Sequence, residues 1–560
     1  MRPIRSIMGR RQFLLTAAAT STSALAYQKL AGLAGRDIQN VYAMAAENSG
    51  EPGAAGNYAR TITADVVVVG SGAGGMTAAI RARQQGVKNV LILEKRAEIG
   101  GNSVFAPIPM KRDEKTSKEQ IFKAAMESTG WRGDPRVIGT MIDKSEEIPG
   151  WLKGFAGEDA QGGAYDGKLV KILRDQCDRL GIQIVCNARA KKLLKNEDNA
   201  VYAVVAEQDG KEMKVEATST VLATGGFLGD PEYMKKYFPI YDDSFSQEVH
   251  TEGLLYTADG IKMALEAGAG DDGTISFAWS SNKMPFFKGD LKKFPTVSIL
   301  TDNTRTPAIW VNNVGVRFTN ETEKNATNAI YRQPNKSCFI VIDAGTVEYM
   351  ADKLPGMASM EKLQQEVPAL IDADQALVTE SVGAIAAWIG GKRHILQNHI
   401  DTYNKCCDKG FDELYYRNPA LLVPLKKPPF YVFRSGLALR NTHGPLKISG
   451  LGSVVSKWDW PIPALMACGA DIGGLHANLL INGGESHSIE WTIASGLRAG
   501  ENAVAYLNGN RPVQVFEFPK YTAREVMAGH YKNTGELPGG TAPPPSGSGT
   551  AQPDSGTKYH

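Results

Sequence analysis

Cysteine is scarce in this chain of 560 residues, and its positions restrict the chemistry open to it. No two cysteines form a C-x-x-C, so structural zinc, iron–sulfur clusters and covalently attached c-type haem lack their usual ligand patterns. The adjacent pair Cys406-Cys407 is either a redox pair or two ordinary helical residues, and the second is favoured because neighbouring cysteines rarely reach a relaxed disulfide geometry. The sequence therefore predicts no metal site and no haem of its own.

An excess of either charge is also missing. The 62 Lys and Arg nearly balance the 60 Asp and Glu, leaving a formal net charge of +2. Proteins that bind nucleic acid usually need a clear basic excess. Beyond the N-terminal segment, the sequence has no apolar run of the ~20 residues that a membrane-spanning helix needs. We therefore expect neither a nucleic-acid partner nor a membrane span in the mature chain.

The first 45 residues have the layout of a signal peptide. Four arginines precede an apolar, Ala-rich stretch, and Arg10-Arg11 before Phe13 resembles the twin-arginine class, which exports folded proteins. A short membrane anchor is the alternative, but Thr and Ser residues at 16 and 20–23 interrupt the apolar run. This segment holds six Lys or Arg and one Asp, so the rest of the chain has a formal charge of −3. We expect export to the periplasm.

A glycine-rich turn between a strand pattern and a helix pattern predicts a dinucleotide site. The β-branched run 64–69 is followed by G-S-G-A-G-G, and a second apolar run, 90–93, ends in Glu94. Gly70 permits a tight turn, Gly72 lets the backbone approach a pyrophosphate, and Gly75 lets helix and strand pack closely. Glu94 stands where a carboxylate binds a ribose. A glycine-rich turn alone is the simpler alternative, but the order strand, turn, helix, strand and acid favours the dinucleotide site.

Two later segments select FAD. Residues 94–103 resemble the second flavoprotein signature, in which paired glycines and a small polar residue close over the phosphates and the ribitol. Residues 220–226 resemble the A-T-G segment that returns the chain beneath the cofactor. No histidine linkage motif follows Gly101-Asn102-Ser103, so we expect non-covalent FAD.

Further segments, in chain order, resemble the fumarate reductase/succinate dehydrogenase flavoprotein family, in the branch with soluble fumarate reductases, urocanate reductase and 3-ketosteroid dehydrogenases. The resemblance covers residues 60–510, with matches in 169–194, 257–269, 311–321, 403–431, 467–474 and 495–500. The cofactor-binding residues that the motifs and this resemblance imply are Gly70, Gly72, Ala73, Gly74, Gly75, Glu94, Lys95, Gly100, Gly101, Asn102, Ser103, Ala190, Ala223, Thr224, Gly225, Asp259, Asp471, Ser488 and Ile489.

The same resemblance implies an α/β fold, with a Rossmann-type FAD-binding domain and an inserted α+β capping domain. We expect the FAD-binding domain at 60–270 and 425–510 and the cap at 271–424, after the signal peptide at 1–45. Residues 535–560 are rich in Pro, Gly and Ser and are expected to be disordered.

The segments that would contact the substrate depart from the fumarate reductase pattern. Those enzymes have an arginine proton donor where Asn325 stands, and an amide is no acid. Their histidine pair and last arginine, which hold the substrate carboxylates, correspond to the start of 440–445 and to Ile481. Each charge-assisted hydrogen bond lost forfeits ~1.5–3 kcal/mol. We therefore expect a substrate other than fumarate, aromatic or otherwise less charged, with a pocket lined by Trp279, Phe286, Phe287, Trp310 and Tyr331 unless these pack the cap.

Four residues near flavin-facing segments of the family are candidates for handling protons. They are Arg440, His443, Lys324 and His487, and for each the alternative is an exposed or structural residue. Asp302 and Arg305 have a spacing that resembles that of the proton relays in fumarate reductases, with a solvated ion pair as the favoured alternative.

The expected activity is that of an FAD-dependent ene-reductase, which reduces an activated C=C bond, or of the reverse dehydrogenation. The missing C-x-x-C-H implies a separate electron-transfer partner, a cytochrome or a quinol-linked protein. Two alternatives stay open: an electron-transfer subunit without its own small-molecule substrate, and a protein that holds FAD only as a structural support.

Overall fold

A computed structural model describes most of the chain between residues 58 and 510. The described residues are 58–109, 116–157, 167–237, 256–273, 276–280, 294–302, 305–323, 326–330, 332–436, 438–475, 480–482 and 485–510. The predicted signal peptide at 1–45 and the predicted disordered tail at 535–560 lie outside them.

Strands and helices alternate through much of the chain. The strands are β1 (Arg60–Val69), β2 (Val90–Leu93), β3 (Gln183–Val185), β4 (Ala188–Lys195), β5 (Val201–Gln208), β6 (Lys211–Leu222), β7 (Ser276–Ser280), β8 (Ile309–Val311), β9 (Ser337–Asp343), β10 (Ala376–Thr379), β11 (Phe430–Gly436), β12 (Ala438–His443), β13 (Ser453–Val455), β14 (Pro461–Ala467) and β15 (Leu480–Asn482). The helices are α1 (Ala73–Gln84), α2 (Lys118–Ser128), α3 (Pro135–Ser145), α4 (Ile148–Ala156), α5 (Lys168–Arg179), α6 (Pro231–Tyr237), α7 (Asp259–Glu266), α8 (Pro295–Leu300), α9 (Thr327–Ile330), α10 (Ala344–Lys353), α11 (Met360–Asp372), α12 (Val382–Ile389), α13 (Arg393–Lys409) and α14 (Glu485–Leu507). Short 3₁₀ helices span Gly101–Phe105, Pro334–Lys336, Pro419–Leu421 and Gly469–Asp471.

The main sheet has eight strands with β1 in its parallel centre. Its order is β13-β14-β6-β1-β2-β3, and β4 and β5 extend it from β6. Strand β1 pairs in parallel with both β2 and β6, so it lies inside the sheet. The apolar run 66–69 in its second half is buried, as expected for a strand of a parallel sheet whose two faces are both covered. Helix α14 packs on α1, β6 and β14. A Cβ on Gly496 would lie 2.5 Å from the Gly74 carbonyl oxygen, so glycine allows this close approach of the two helices.

Two smaller sheets complete the described structure. One is antiparallel, in the order β10-β11-β9-β8, and has its own hydrophobic cluster with α12 and α13. The other, in the order β12-β7-β15, unites segments from three distant parts of the sequence. We refer to it as the three-stranded sheet. The mixed α/β fold confirms the predicted fold class. The boundaries at 270 and 424 stay predictions, and strand β11, beyond the second boundary, pairs with β9.

The described residues can be compared with the expectations for a membrane span, a metal site and the cysteine pair. None of the described helices combines the length and apolarity required to cross a bilayer. Across the described ranges, His, Cys, Asp and Glu side chains form no group of three placed to hold a metal ion. Cys406 and Cys407 lie within α13 with free thiols, as the helical alternative predicts.

Candidate cofactor and active site

The turn between β1 and α1 forms the centre of the candidate cofactor site. Gly70 has a φ of +109°, and a Cβ there would lie 2.1 Å from the Ala223 carbonyl oxygen. A Cβ on Gly75 would lie 2.0 Å from the Gly70 carbonyl oxygen. A Cβ on Gly72, by contrast, would meet only Ser103 Oγ at 3.7 Å and the Gly100 carbonyl oxygen at 4.0 Å. The backbone of Gly72 therefore borders open space at the N-terminus of α1, where an anion is favoured.

Glu94 is buried at the end of β2 and is fixed by its neighbours. Its carboxylate accepts hydrogen bonds from the Ser71 amide (3.1 Å), the Ser71 hydroxyl (2.5 Å) and the Arg96 amide (2.9 Å). Ser71 Oγ in turn accepts from the Gly100 amide at 3.2 Å, and Ser103 Oγ accepts from the Ala73 amide at 3.0 Å. Two sequence-distant glycine-rich loops are thus joined side by side. Ser71 was missed among the predicted site residues, although it stands inside the glycine-rich motif.

An ion network lies next to Glu94 and contains two predicted residues, Lys95 and Asp259. Asp259 accepts hydrogen bonds from Arg189 Nη2 at 2.7 Å and Thr257 Oγ1 at 2.9 Å, and Lys95 Nζ lies 3.4 Å away. Burial alone would raise the pKa of Asp259, but the Arg189 hydrogen bond and the two cations hold it below its ordinary value. The network connects the ends of β2, β4 and α7. Sequence reasoning missed Arg189, although it precedes the predicted Ala190 directly.

Asp471 fixes the A-T-G segment after β6 through hydrogen bonds. This carboxylate is fully buried and accepts hydrogen bonds from the Thr224 amide (2.6 Å), the Thr224 hydroxyl (2.9 Å) and the Gly226 amide (2.8 Å). Burial raises the pKa of Asp471 and outweighs these hydrogen bonds. Gly225 and Gly226 have φ values of +94° and +88°, a region that favours glycine. Asp471 therefore fixes the turn that follows Ala223.

Strand β12 contains two of the candidate proton-handling residues, His443 and Arg440, and only the backbone of Arg440 is described. His443 is 3% exposed, and its Nε2 lies 3.1 Å from Ser488 Oγ in the first turn of α14. Burial lowers the pKa of His443 to about 4, so its imidazole is neutral near pH 7. This environment favours the structural alternative for His443. The register between β12 and β7 shifts between Leu439 and Asn441, which makes Arg440 the extra residue of a β-bulge.

The other candidates are placed less fully. Lys324 and Asn325 lie outside the described residues, and only the backbone of His487, within the first turn of α14, is described. Arg305 Nε lies 3.6 Å from Asp302 Oδ2, with the arginine 60% exposed, as a solvated ion pair would be. Of the aromatic residues considered for the pocket, Trp310 packs into the main core. The side chains of Trp279, Phe286, Phe287 and Tyr331 lie outside the described part.

The remaining predicted cofactor residues lie on several elements of the FAD-binding part. Gly101 and Asn102 begin the 3₁₀ helix after Gly100, and Gly74 faces Thr492 of α14. Ala190 is buried in β4 and Ile489 is buried in α14. These positions suit FAD: the open backbone at Gly72 would take the pyrophosphate, and Glu94 would take the ribose. FAD, when bound, supplies hydride chemistry that no side chain offers.

Comparisons with known proteins agree with this arrangement. A family model described as an FAD binding domain matches residues 65–168 and 164–484. Vinyl phenol reductase of Lactiplantibacillus plantarum is 28% identical over 492 residues, which cover 79% of this chain and 96% of that protein. Fumarate reductase (cytochrome) of Shewanella frigidimarina is 26% identical over 483 residues, 80% of this chain and 78% of that protein.

Among solved structures, 3-ketosteroid delta1-dehydrogenase from Sterolibacterium denitrificans has a similar fold. The TM-score is 0.64 at 16% identity, and the match covers 79% of this chain and 99% of that chain. The predicted FAD cofactor is confirmed by the family match. Because the family model spans well over half of the sequence, this chain belongs to the FAD-binding-domain family. Together with its similarity to reductases over about four fifths of its length, this match makes the chain an FAD-dependent oxidoreductase.

Proposed function

We propose that this protein reduces an activated C=C bond in a small-molecule substrate other than fumarate, or catalyses the reverse dehydrogenation. The observation that carries the proposal is the composition of the three-stranded sheet. Its strands of five, six and three residues hold one Lys or Arg, Arg440. Ile481 pairs with Ala278, which pairs with Asn441, so neutral residues occupy the register where the family's carboxylate-binding arginine is expected.

One cation suits one carboxylate or a polarised neutral group. A dicarboxylate entering a partly desolvated pocket exchanges water for fixed donors, and an unpaired carboxylate there costs several kcal/mol. Arg440 would pair with one carboxylate and leave the second without a partner from this sheet. The similarity to vinyl phenol reductase supports an aromatic alkene as the substrate class.

Within this proposal, Arg440 orients and polarises the electron-withdrawing group of the substrate, because a guanidinium stays charged and presents several donors. Lys324 and His487 are the proposed proton donors. His443 is the weakest candidate, since a buried imidazole with a pKa of about 4 carries no proton to donate as a cation near pH 7. Electrons reach the FAD from a separate partner, a cytochrome or a quinol-linked protein. The N-terminal segment directs export of the chain to the periplasm, where this electron transfer takes place.

The experiment that tests this function follows the reoxidation of reduced flavin. FAD-loaded protein is reduced without oxygen and mixed with a panel of vinyl phenols, cinnamates, enones and fumarate, and flavin absorbance is recorded. We expect rapid reoxidation by an aromatic or enone substrate. Reoxidation by none of these alkenes, but by a redox protein, would instead support the electron-transfer alternative.

Fumarate is predicted to be a poor substrate, and the double substitution Asn325→Arg and Ile481→Arg should raise the kcat/KM for fumarate. Each added guanidinium restores charge-assisted hydrogen bonds of ~1.5–3 kcal/mol, so fumarate kcat/KM should rise by roughly ten- to a hundredfold per residue. Lys substituted at the same two positions is the matched control, because it adds charge without a planar fork. Fumarate reduction by the unmodified protein as fast as its best alkene would contradict the prediction.

FAD is predicted to be released intact by acid or heat. The reason is that no histidine linkage motif follows Gly101-Asn102-Ser103. Denatured protein is centrifuged, and flavin absorbance is measured in the supernatant and the pellet. Flavin that stays with the washed pellet would show a covalent bond and refute this prediction.

A further inference from the structure

Cofactor-site segments meet at one short stretch, residues 442–446, which we call the β12 junction. Thr442 Oγ1 accepts a hydrogen bond from the Phe227 amide at 3.0 Å, directly after the A-T-G segment. The Gly444 amide donates to the Ala470 carbonyl oxygen at 3.1 Å, and the Leu446 amide donates to the Asp471 carbonyl oxygen at 3.0 Å. The junction therefore connects the three-stranded sheet to the residue after the A-T-G segment and to the 3₁₀ helix Gly469–Asp471.

His443 connects the junction to a third segment, the first turn of α14. Its Nε2 lies 3.1 Å from Ser488 Oγ, and Ile489, the next residue of that helix, is buried. Two residues separate the end of β15 from the start of α14, so the first turn of α14 borders both the three-stranded sheet and the FAD-binding core. Thr442 and His443, which are neighbours in sequence, thus reach two segments that lie more than 250 residues apart in the chain.

Hydrogen bonding accounts for this pairing better than charge does. Burial lowers the pKa of His443 to about 4, so the ring is neutral with one donor and one acceptor nitrogen. A hydroxyl donates or accepts as its partner requires, so the pair is compatible with either tautomer. Within a buried site, such a bond holds two elements in one relative position.

We propose that His443 is a positioning residue: its hydrogen bond to Ser488 fixes the first turn of α14 against the FAD and thereby sets the affinity and reduction potential of the flavin. The N-terminal turn of a helix carries aligned amide dipoles, whose effect on a nearby group falls off within that turn. A small displacement of the turn therefore changes how strongly the oxidised and reduced flavin are held. The inference rests on FAD binding alone, and the C=C reaction is not needed for it.

The test uses four variants of the FAD-loaded protein: His443→Met, His443→Gln, Ser488→Ala and the double variant that combines His443→Met with Ser488→Ala. Methionine fills similar space without the ring nitrogens, whereas glutamine keeps a polar atom near the position of Nε2. For each variant, the FAD dissociation constant and the two-electron potential are measured without any alkene. Because no substrate is present, failure of the C=C proposal would not affect these results.

We expect His443→Met and Ser488→Ala each to weaken FAD binding about fivefold, the effect of one lost hydrogen bond. The double variant should be no weaker than the single variants, because both remove the same bond. If the loss falls on one redox form, the potential shifts by about 20 mV, since tenfold corresponds to 29.6 mV for two electrons. His443→Gln should recover most of the affinity.

The control is Ser145→Ala in α3, which removes a buried hydroxyl that donates to the Met141 carbonyl oxygen. It should lower the melting temperature and leave FAD affinity and potential unchanged. The proposal is overturned if His443→Met lowers only the melting temperature, or if the effects of the two single substitutions add in the double variant. If His443→Met does not fold, the comparison of Ser488→Ala with His443→Gln decides: equal losses of affinity would also overturn it.

Discussion

Replacing Gly72 with valine is expected to abolish FAD binding while the protein still folds. Gly72 has a φ of −65° and a ψ of 174°, values open to any residue, and a Cβ there meets no atom closer than 3.7 Å. The valine side chain would instead occupy the space in front of the first turn of α1, where the pyrophosphate is expected. Loss of two charge-assisted hydrogen bonds to a phosphate, ~1.5–3 kcal/mol each, lowers affinity by roughly a hundredfold or more.

The measurement is the amount of flavin that co-purifies with the variant, together with its circular dichroism spectrum. Gly139→Val, within α3, is the control for a glycine that has no atom within 4 Å of its Cβ position, and it should retain FAD. Gly75→Ala offers a contrast. Its Cβ would lie 2.0 Å from the Gly70 carbonyl oxygen, so this substitution should destabilise the fold and change the circular dichroism spectrum. Full retention of FAD by the Gly72 variant would mean that the phosphates do not lie on this turn.

The Gly72 and Glu94 positions were predictable because their signal is local in sequence. Turn, helix, strand and acid follow one another within residues 70–94, and each constrains the next. Ser71 binds the Glu94 carboxylate through its amide and its hydroxyl, an arrangement that the motif implies only once the two loops are known to be adjacent.

Contacts across long sequence distances were not predictable in the same way. Asp259 binds Arg189, which is 70 residues away, and Lys95, which is 164 residues away, and neither spacing carries a signal. The three-stranded sheet likewise depends on pairing between β7, β12 and β15. His443 shows the consequence for chemistry: its position in the sequence suggests a proton donor, while its burial and its bond to Ser488 depend on the fold.

The ion cluster of Arg317, Glu321, Asp412 and Arg417 is buried beside the antiparallel sheet, each residue being at most 1% exposed. Arg317 donates to Glu321 through two nitrogens at 2.7 and 2.8 Å, and to Asp412 at 2.7 Å. Arg417 Nη1 lies 3.4 Å from Glu321 and donates to the Ala308 carbonyl oxygen at 2.8 Å. The cluster ties the segment after β8 to the segment after α13.

Arg317→Met is expected to lower the free energy of unfolding by ~3–5 kcal/mol. Methionine matches part of the arginine stem but leaves two carboxylates buried with fewer donors, and it also removes the guanidinium that stacks 5.0 Å from the Tyr403 ring. Denaturant unfolding followed by circular dichroism measures the difference. The control is Lys409→Met. Lys409 and its ion-pair partner Glu413 are both more than half exposed, so this substitution should leave the free energy of unfolding nearly unchanged.

The pH dependence of this difference separates lost charge pairing from lost packing. In the unmodified protein, burial raises the pKa of Asp412, but the Arg317 hydrogen bond and charge outweigh it and hold the pKa below its ordinary value. That stabilisation is fully present above the unfolded pKa of about 3.9 and is lost as the pH falls through the folded pKa. Without Arg317, less opposes the effect of burial and the pKa of Asp412 rises. Protonation of Asp412 at low pH then removes a buried charge that has lost its partner, and this raises the free energy of unfolding of the variant. The stability difference should therefore be largest near neutral pH and shrink as the pH falls toward 4. A difference that stays constant over this range would show that Arg317 stabilises the protein by packing rather than through its charge.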